Sequence, residues 1–147
     1  MSSTPGTGLT HIRLLAGYAT AGRPVYEVLP ARTRADGAVE LAGSPGLVLG
    51  CAAGDRLTVG DDGTFEVVSV GPNRCLQAGR RQGGFAPEDV AALAGAMREL
   101  DGLVEAPADG RFVVVTVARS AGGAAVERVM DGWAARVDGA EWWIGNE

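Results

Sequence analysis

The sequence predicts an α+β protein in which a small β-barrel-like region precedes a ferredoxin-like β-α-β-β-α-β unit. Short apolar runs separated by Gly and Pro turns fill residues 9–72. Residues 73–147 contain two stretches whose apolar residues recur with the period of a helix, and strand-like runs lie before, between and after them.

The length fits one average domain or two small subdomains that share a core, because the chain has 147 residues. We divide it into a flexible tail at residues 1–8, a β-rich barrel-like subdomain at 9–72 and a ferredoxin-like subdomain at 73–147. The tail begins Met1-Ser2-Ser3-Thr4 and lacks the charged start and apolar core of a signal peptide.

The first half contains six predicted strands. Its best hairpin pairs the last two of these strands through Asp62-Gly63, which supplies the positive φ of a tight turn. Many short strands joined in this way are typical of a small barrel or a strongly bent sheet. The six strands are His11–Leu15, Val25–Arg32, Ala38–Leu41, Leu47–Leu49, Arg56–Val59 and Thr64–Val70.

The second half alternates strands and helices. A helix starts at Pro87 and runs to about Leu100, where Gly102 ends it. A second helix covers Ala124–Val137, and Gly132 inside it predicts a kink or a close neighbour. The four predicted strands are Asn73–Gly79, Leu103–Ala106, Arg111–Ala118 and Ala140–Ile144.

The central strand of this unit is apolar on both faces. Val113, Val115 and Val117 point one way, and the residues between them point the other way. Trp142 and Trp143 in the last strand must also face opposite sides. Since two helices cover only one face of such a sheet, the open face must meet the N-terminal region, a second copy of the chain or an apolar ligand.

Composition excludes several classes of function. The net charge of −5 and the absence of a basic cluster argue against nucleic acid and anionic membranes as partners. All 13 basic residues are arginine, which we attribute to a GC-rich bacterial genome. Neither a metal spacing nor a cofactor motif is present, and no run is long enough to span a membrane. We therefore expect a cytoplasmic protein without cofactors.

Four residues are the candidates for catalysis. His11 is the only histidine, and Asp55 closes a run of small and apolar residues that leads into a strand. Cys75 would need an electropositive setting to act as a nucleophile, and Arg111 would supply part of the polar lining of a pocket. Each also has a structural interpretation, such as a turn cap for Asp55 or a small buried thiol for Cys75.

Five other residues are the candidates for ligand binding. Trp142, Trp143 and Asn146 form the densest aromatic and polar cluster, and Asn73 and Arg74 open a predicted strand. The alternative role of the tryptophans is packing at a sheet edge. We expect any site to lie at the junction of the open sheet face with its covering.

Short turn motifs resemble those of a bacterial family known as domain of unknown function 4265. They are Tyr26-Glu27-Val28-Leu29-Pro30, Gly54-Asp55-Arg56-Leu57-Thr58-Val59, Asp62-Gly63-Thr64-Phe65 and Gly71-Pro72-Asn73-Arg74-Cys75-Leu76. The resemblance implies no activity, and it marks only Gly54, Asp55 and Asn73 as positions that fit the pattern of the family.

Three functions compete at this point. The first is a non-catalytic module that binds a small apolar ligand or a protein partner and forms a homodimer through the open sheet face. The second is a cofactor-independent enzyme of small-molecule or peptide natural-product biosynthesis, which requires at least two candidate residues to converge in a pocket. The third is an immunity or antitoxin-type partner of a basic protein, which requires a contiguous acidic surface.

Overall fold

The computed structural model describes residues 8–147 and contains two antiparallel sheets and two helices. This arrangement confirms a mixed α+β fold. All but the last residue of the predicted flexible tail lies outside the described residues.

The first sheet is an antiparallel meander of five strands in the order of the chain. Leu14 of the first strand, Leu29 of the second and Leu57 of the fourth point inward and form an apolar cluster with Leu41. The strands are β1 Leu9–Tyr18, β2 Pro24–Thr33, β3 Val39–Leu41, β4 Arg56–Val59 and β5 Phe65–Ser69.

This sheet does not close into a barrel, so the barrel-like prediction is corrected to an open sheet. Among the described residues, β1 and β5 form no ladder with each other. Instead, the amide of Leu15 in β1 donates a hydrogen bond of 2.9 Å to the carbonyl of Gly63, in the turn between β4 and β5. Gly63 has a φ of +86° and lies against Tyr26, where a side chain would not fit.

The second half forms a four-stranded antiparallel sheet and both helices. The elements are β6 Asn73–Arg80, α1 Pro87–Met97, β7 Leu103–Glu105, β8 Val113–Ala118, α2 Gly123–Arg136 and β9 Ala140–Ile144. The sheet order is β7-β8-β6-β9, so β6 is paired on both sides.

Both helices pack on one face of this sheet. Leu93 of α1 and Met130 of α2 are fully buried against Leu76 and Val115 of the sheet. Trp133 joins the two helices, because its indole nitrogen donates a 2.8 Å hydrogen bond to the carbonyl of Asp89 in the first turn of α1. Apolar residues at helical spacing thus pack on the sheet in the largest of the three apolar clusters.

The other face of the second sheet is covered by the chain itself. The loop that joins β3 to β4, residues 42–55, lies across it. Gln77 in β6 donates from its amide nitrogen to the carbonyls of Pro45 at 2.9 Å and Val48 at 2.8 Å, and Thr116 in β8 bonds to Ser44 at 2.7 Å. Among the three coverings that the sequence left open, the N-terminal region is the one that occupies this face.

The 42–55 loop also corrects the predicted strand at Leu47–Leu49, which is not a strand. The carboxylate of Glu27 in β2 accepts hydrogen bonds from the amides of Gly46, Leu47 and Val48 at 2.7–3.0 Å. Because one side chain takes these three donors, they cannot pair with a neighbouring strand.

The helix that contains Gly132 is uninterrupted, and apart from its chain neighbours and the helix's own backbone no atom lies within 4 Å of the place where a side chain would begin. The kink or close neighbour predicted there is therefore absent.

Candidate functional site

His11 and Arg111 lie on the surface. His11 is exposed on β1 opposite Pro30. Arg111 is exposed before β8, 3.5 Å from the carboxylate of Asp109, and its guanidinium lies 5.5 Å from the centre of the Phe112 ring. Among the described residues no hydrogen bond joins either of them to another catalytic candidate.

Asp55 is buried at the junction of the two halves. Its carboxylate accepts hydrogen bonds from the amides of Ala52 at 3.0 Å and Gly71 at 2.7 Å. The bond from Gly71 depends on close contact between residue 71 and the 42–55 loop. A β-carbon at position 71 would lie only 2.5 Å from the carbonyl group of Gly54. Asp55 therefore ties the 42–55 loop to the segment that leads into β6, which is the structural role of a turn cap.

Cys75 is fully buried beneath the 42–55 loop. Its thiol donates a 3.3 Å hydrogen bond to the carbonyl of Pro45. Burial raises the pKa of Cys75 to about 12, and burial likewise raises that of Cys51 to about 12. Both thiols therefore stay protonated at neutral pH, which does not favour nucleophilic chemistry.

Asn73 and Asn146 are brought together at the start of β6. Asn146 accepts the amide of Cys75 at 2.9 Å and donates to the carbonyl of Asn73 at 3.1 Å. Asn73 in turn donates to the carbonyl of Ala53 at 2.9 Å. These amides hold residues 145–147 and the 42–55 loop on β6, so both amide nitrogens and the side-chain oxygen of Asn146 are already used within the fold.

Arg74 and Glu147 form an ion pair beside these amides. The Nε of Arg74 donates to Oε2 of Glu147 at 2.9 Å, and Nη1 of Arg119 reaches the same oxygen at 3.3 Å. The hydrogen bond from Arg74 lowers the pKa of the exposed Glu147 carboxyl.

Trp142 and Trp143 face opposite sides of the second sheet. Trp142 packs on the helix side and donates to the carboxylate of Asp131 at 2.8 Å. Trp143 lies on the other side, donates to the side-chain oxygen of Gln77 at 2.7 Å and is 41% exposed. The two rings therefore do not line a common pocket.

A groove opens where the first sheet meets the second, on the side away from the helices. It has a volume of about 260 Å³, and Leu29 and Pro30 of β2 form one wall, while Phe112 and Val114 form the opposite wall. Glu105 at the end of β7 lies exposed at its rim. We call this space the inter-sheet groove.

A second groove of about 310 Å³ lies on the helix side of the same sheet. Its walls are Phe85, Val90 and Ala91 at the start of α1, together with the segment that follows β7. Ala106 and Pro107 line this helix-side groove and the inter-sheet groove alike. The end of β7 therefore stands between two apolar grooves, one on each face of the sheet.

Sequence reasoning missed most residues of these grooves. Phe112 and Val114 belong to the strand segment identified as apolar on both faces, and this signal pointed correctly to the open face. Ala91 and Pro107 gave no signal, because small exposed residues near a helix start or a turn are ordinary in any sequence. No candidate catalytic residue lines either groove.

A metal site and a membrane-spanning helix are both absent from residues 8–147. These residues contain no group of three or more His, Cys, Asp or Glu side chains placed to hold a metal ion. None of the helices described there has the length and apolar character required to cross a membrane.

Comparisons with known proteins support the fold and name a family. The model of the family described as "Domain of unknown function (DUF4265)" matches residues 27–142. A solved structure titled "Novel crystal structure of a hypothetical protein from Neisseria gonorrhoeae" aligns with a TM-score of 0.69 over 92% of this chain and 93% of that chain. Its 11% sequence identity limits the likeness to the fold. No curated protein matches the chain.

Proposed function

Because the chain belongs to the DUF4265 family, whose description states no activity, we propose a function from its surfaces: a non-catalytic module that binds an extended segment of a protein partner beside β7. The observation that carries this proposal is the pair of apolar grooves on opposite faces of the sheet at the end of one edge strand.

Edge position makes β7 a template for another strand. Among the described residues β7 pairs only with β8, so its other edge is free. Its first residue, Leu103, is 57% exposed. A peptide that adds to such an edge gains main-chain hydrogen bonds, and its alternate side chains enter pockets on the two faces.

Groove geometry matches the period of an extended chain. Successive side chains of a strand point to opposite faces, so a segment beside β7 would alternate between the inter-sheet groove and the helix-side groove. Each groove has the volume for only one or two side chains of the segment. A compact small ligand would occupy one groove and leave the other empty, and for this reason we favour a peptide.

Charge indicates which peptide the site would prefer. Glu105 is exposed at the rim of the inter-sheet groove, and the chain carries a net charge of −5. Glu27 also lines this groove, but its carboxylate is engaged by three backbone amides. We therefore propose a segment in which consecutive aliphatic residues fill the two grooves in turn, and an adjoining Arg or Lys lies beside Glu105.

The unit that carries the site is, we infer, ferredoxin-like. The support is the β-α-β-β-α-β order of residues 73–147, the sheet order β7-β8-β6-β9 and the packing of both helices on one face. In such a unit the second strand lies at a sheet edge, and β7 has that position here.

The enzyme alternative does not meet its own criterion. It required two of the candidate residues to converge in a pocket, whereas His11 and Arg111 lie exposed and Asp55 and Cys75 are buried and bonded to the backbone.

The immunity-type alternative is a special case of partner binding. It requires a contiguous acidic surface, but several acidic side chains of the chain are engaged in turns. Asp36, Asp62 and Asp109 each accept a hydrogen bond from the backbone amide two residues further on.

Selection from a phage-displayed library of random 12-residue peptides tests the proposal. We expect enriched peptides to contain consecutive aliphatic residues flanked by Arg or Lys, and to lose binding at least about tenfold when Leu103→Asp and Ala91→Arg are combined. Val68→Asp is the matched control, because Val68 is 55% exposed on the edge strand β5, and neither Val68 nor its chain neighbours line either groove. Peptides that bind the double variant and the wild type equally would contradict the site.

A further inference from the structure

Two arginines share one carboxylate at the end of the second sheet opposite the grooves. Arg74 is the second residue of β6, and Arg119 directly follows β8. The antiparallel register places Asn73 beside Ala118, so both arginines belong to the same end of the sheet. Both reach a single oxygen, Oε2 of Glu147.

The shared carboxylate leaves donors unused. Nη1 of Arg74 and Nε of Arg119 are buried and have no hydrogen-bond acceptor among the described residues. A buried donor without an acceptor costs free energy, and such groups are rare in native proteins. The charges are also unbalanced, since two guanidinium groups face one carboxylate.

We propose that Arg74 and Arg119 form a binding site for a phosphate group, either inorganic phosphate or a phosphate monoester, which Glu147 occupies from within the chain. A phosphate offers at least three acceptor oxygens and close to two negative charges, so it matches the unused donors and the charge of the arginine pair. The helix α2 begins at Gly123 without a side-chain cap, and the positive end of its dipole adds to the potential near Arg119.

This site is separate from the peptide-binding grooves. The grooves lie beside the residues that precede and open β8, whereas Arg119 follows its last residue, Ala118. A chain that does not bind phosphate could therefore still bind the peptide, and a chain that does not bind the peptide could still bind phosphate.

Titration calorimetry with sodium phosphate on the whole chain tests the proposal. Removal of the internal carboxylate by Glu147→Ala should tighten phosphate binding at least about fivefold relative to wild type, the lower end of typical coupling between linked sites. Adding Arg119→Ala to Glu147→Ala should abolish the gain. Phenyl phosphate in a second arm distinguishes the sources, since tighter binding than inorganic phosphate identifies a monoester site and equal binding identifies a site for the free ion.

Controls separate specific binding from general charge and from folding. Arg111→Ala in the Glu147→Ala background removes the same charge from an exposed arginine and should leave phosphate binding unchanged. Arg74→Lys keeps the charge but loses the planar fork, so it should weaken binding while the thermal unfolding curve stays cooperative. Equal binding by wild type and Glu147→Ala, or an equal loss with Arg111→Ala, would overturn the proposal.

Discussion

At the scale of single residues, buried and half-buried polar side chains of this protein hold loops together. Asp55, Asn73, Gln77 and Asn146 use their polar atoms on backbone groups or on neighbouring side chains of the fold. Such bonds are most costly to break when one partner is left buried and unsatisfied. The residues that looked suited to chemistry are thus better understood as supports of the junction between the halves.

Replacing Asp55 by Ala should destabilise the fold by about 2–4 kcal/mol, because two backbone amides lose their acceptor in a buried place. Asp55→Asn keeps one acceptor oxygen and should cost less. Urea unfolding measures both. Asp62→Ala serves as the control, since Asp62 bonds only within an exposed turn and its loss should cost about 1 kcal/mol or less. Equal losses for the two alanine variants would contradict this role of Asp55.

The two cysteines should be inert in the folded protein. We expect no alkylation of Cys51 or Cys75 by iodoacetamide at pH 8, as measured by mass spectrometry, and rapid alkylation after unfolding in urea. Because burial raises both pKa values from 9.0 to about 12, the unfolded chain releases these protons first as the pH rises. The cysteines therefore add stability below pH 9 that is lost towards pH 12.

The pH dependence can be isolated with a double variant. In Cys51→Ala/Cys75→Ala, the decline of the unfolding free energy between pH 9 and pH 12 should be shallower than in the wild type, although the variant is less stable throughout. Parallel curves would show that other groups, such as the tyrosines, account for the decline.

At the scale of elements, the local sequence pattern predicted most helices and strands correctly, but it failed for one loop. The predicted strands Arg56–Val59 and Ala140–Ile144 have the same bounds in the structure, and both helices match within three residues at their ends. Periodicity and turn chemistry are properties of neighbouring residues, so the sequence displays them directly. The strand predicted at Leu47–Leu49 was wrong because Glu27, about 20 positions earlier, takes its amides.

The grooves were beyond sequence reasoning for a similar reason. Phe112 and Pro30 belong to different halves of the chain, and their contribution to one groove depends on how the 42–55 loop seats the first sheet on the second. The doubly apolar strand indicated that something covers the open face, but it contained no information about which segment does so.

Two glycines provide a matched contrast at this scale. Gly132→Ala should stabilise the protein by about 1 kcal/mol, because the position is helical and no atom lies near the new methyl group. Gly46→Ala should destabilise it, since the methyl carbon would lie 2.0 Å from the ring of Phe112. Thermal unfolding should move in opposite directions for the two variants. A gain in stability for Gly46→Ala would show that the 42–55 loop packs on the sheet less closely than described.

At the scale of the whole molecule, the covered sheet face changes where a second copy can bind. The apolar face of β6 and β8 is already buried beneath the 42–55 loop. Large apolar residues stay exposed at this covering: Leu47 and Leu49 in the loop itself, and Trp143 in β9, whose indole nitrogen donates to the buried Gln77. The homodimer stays a prediction, and because the sheet itself is covered, we propose this patch as the surface that a second copy would use.

Light scattering coupled to size-exclusion chromatography tests the dimer. If two copies pair through this patch, the wild type should have twice the mass of its chain, and Leu49→Asp should halve it, because Leu49 is 61% exposed and a charge there would be desolvated in the interface. Val68→Asp is the matched control, since Val68 is 55% exposed on the edge strand β5. Patches of only three apolar residues are common on monomers, so the mass must be followed over a range of concentrations. A wild-type chain that keeps the mass of one copy at every concentration contradicts the dimer and leaves the free edge of β7 as the principal surface for a partner.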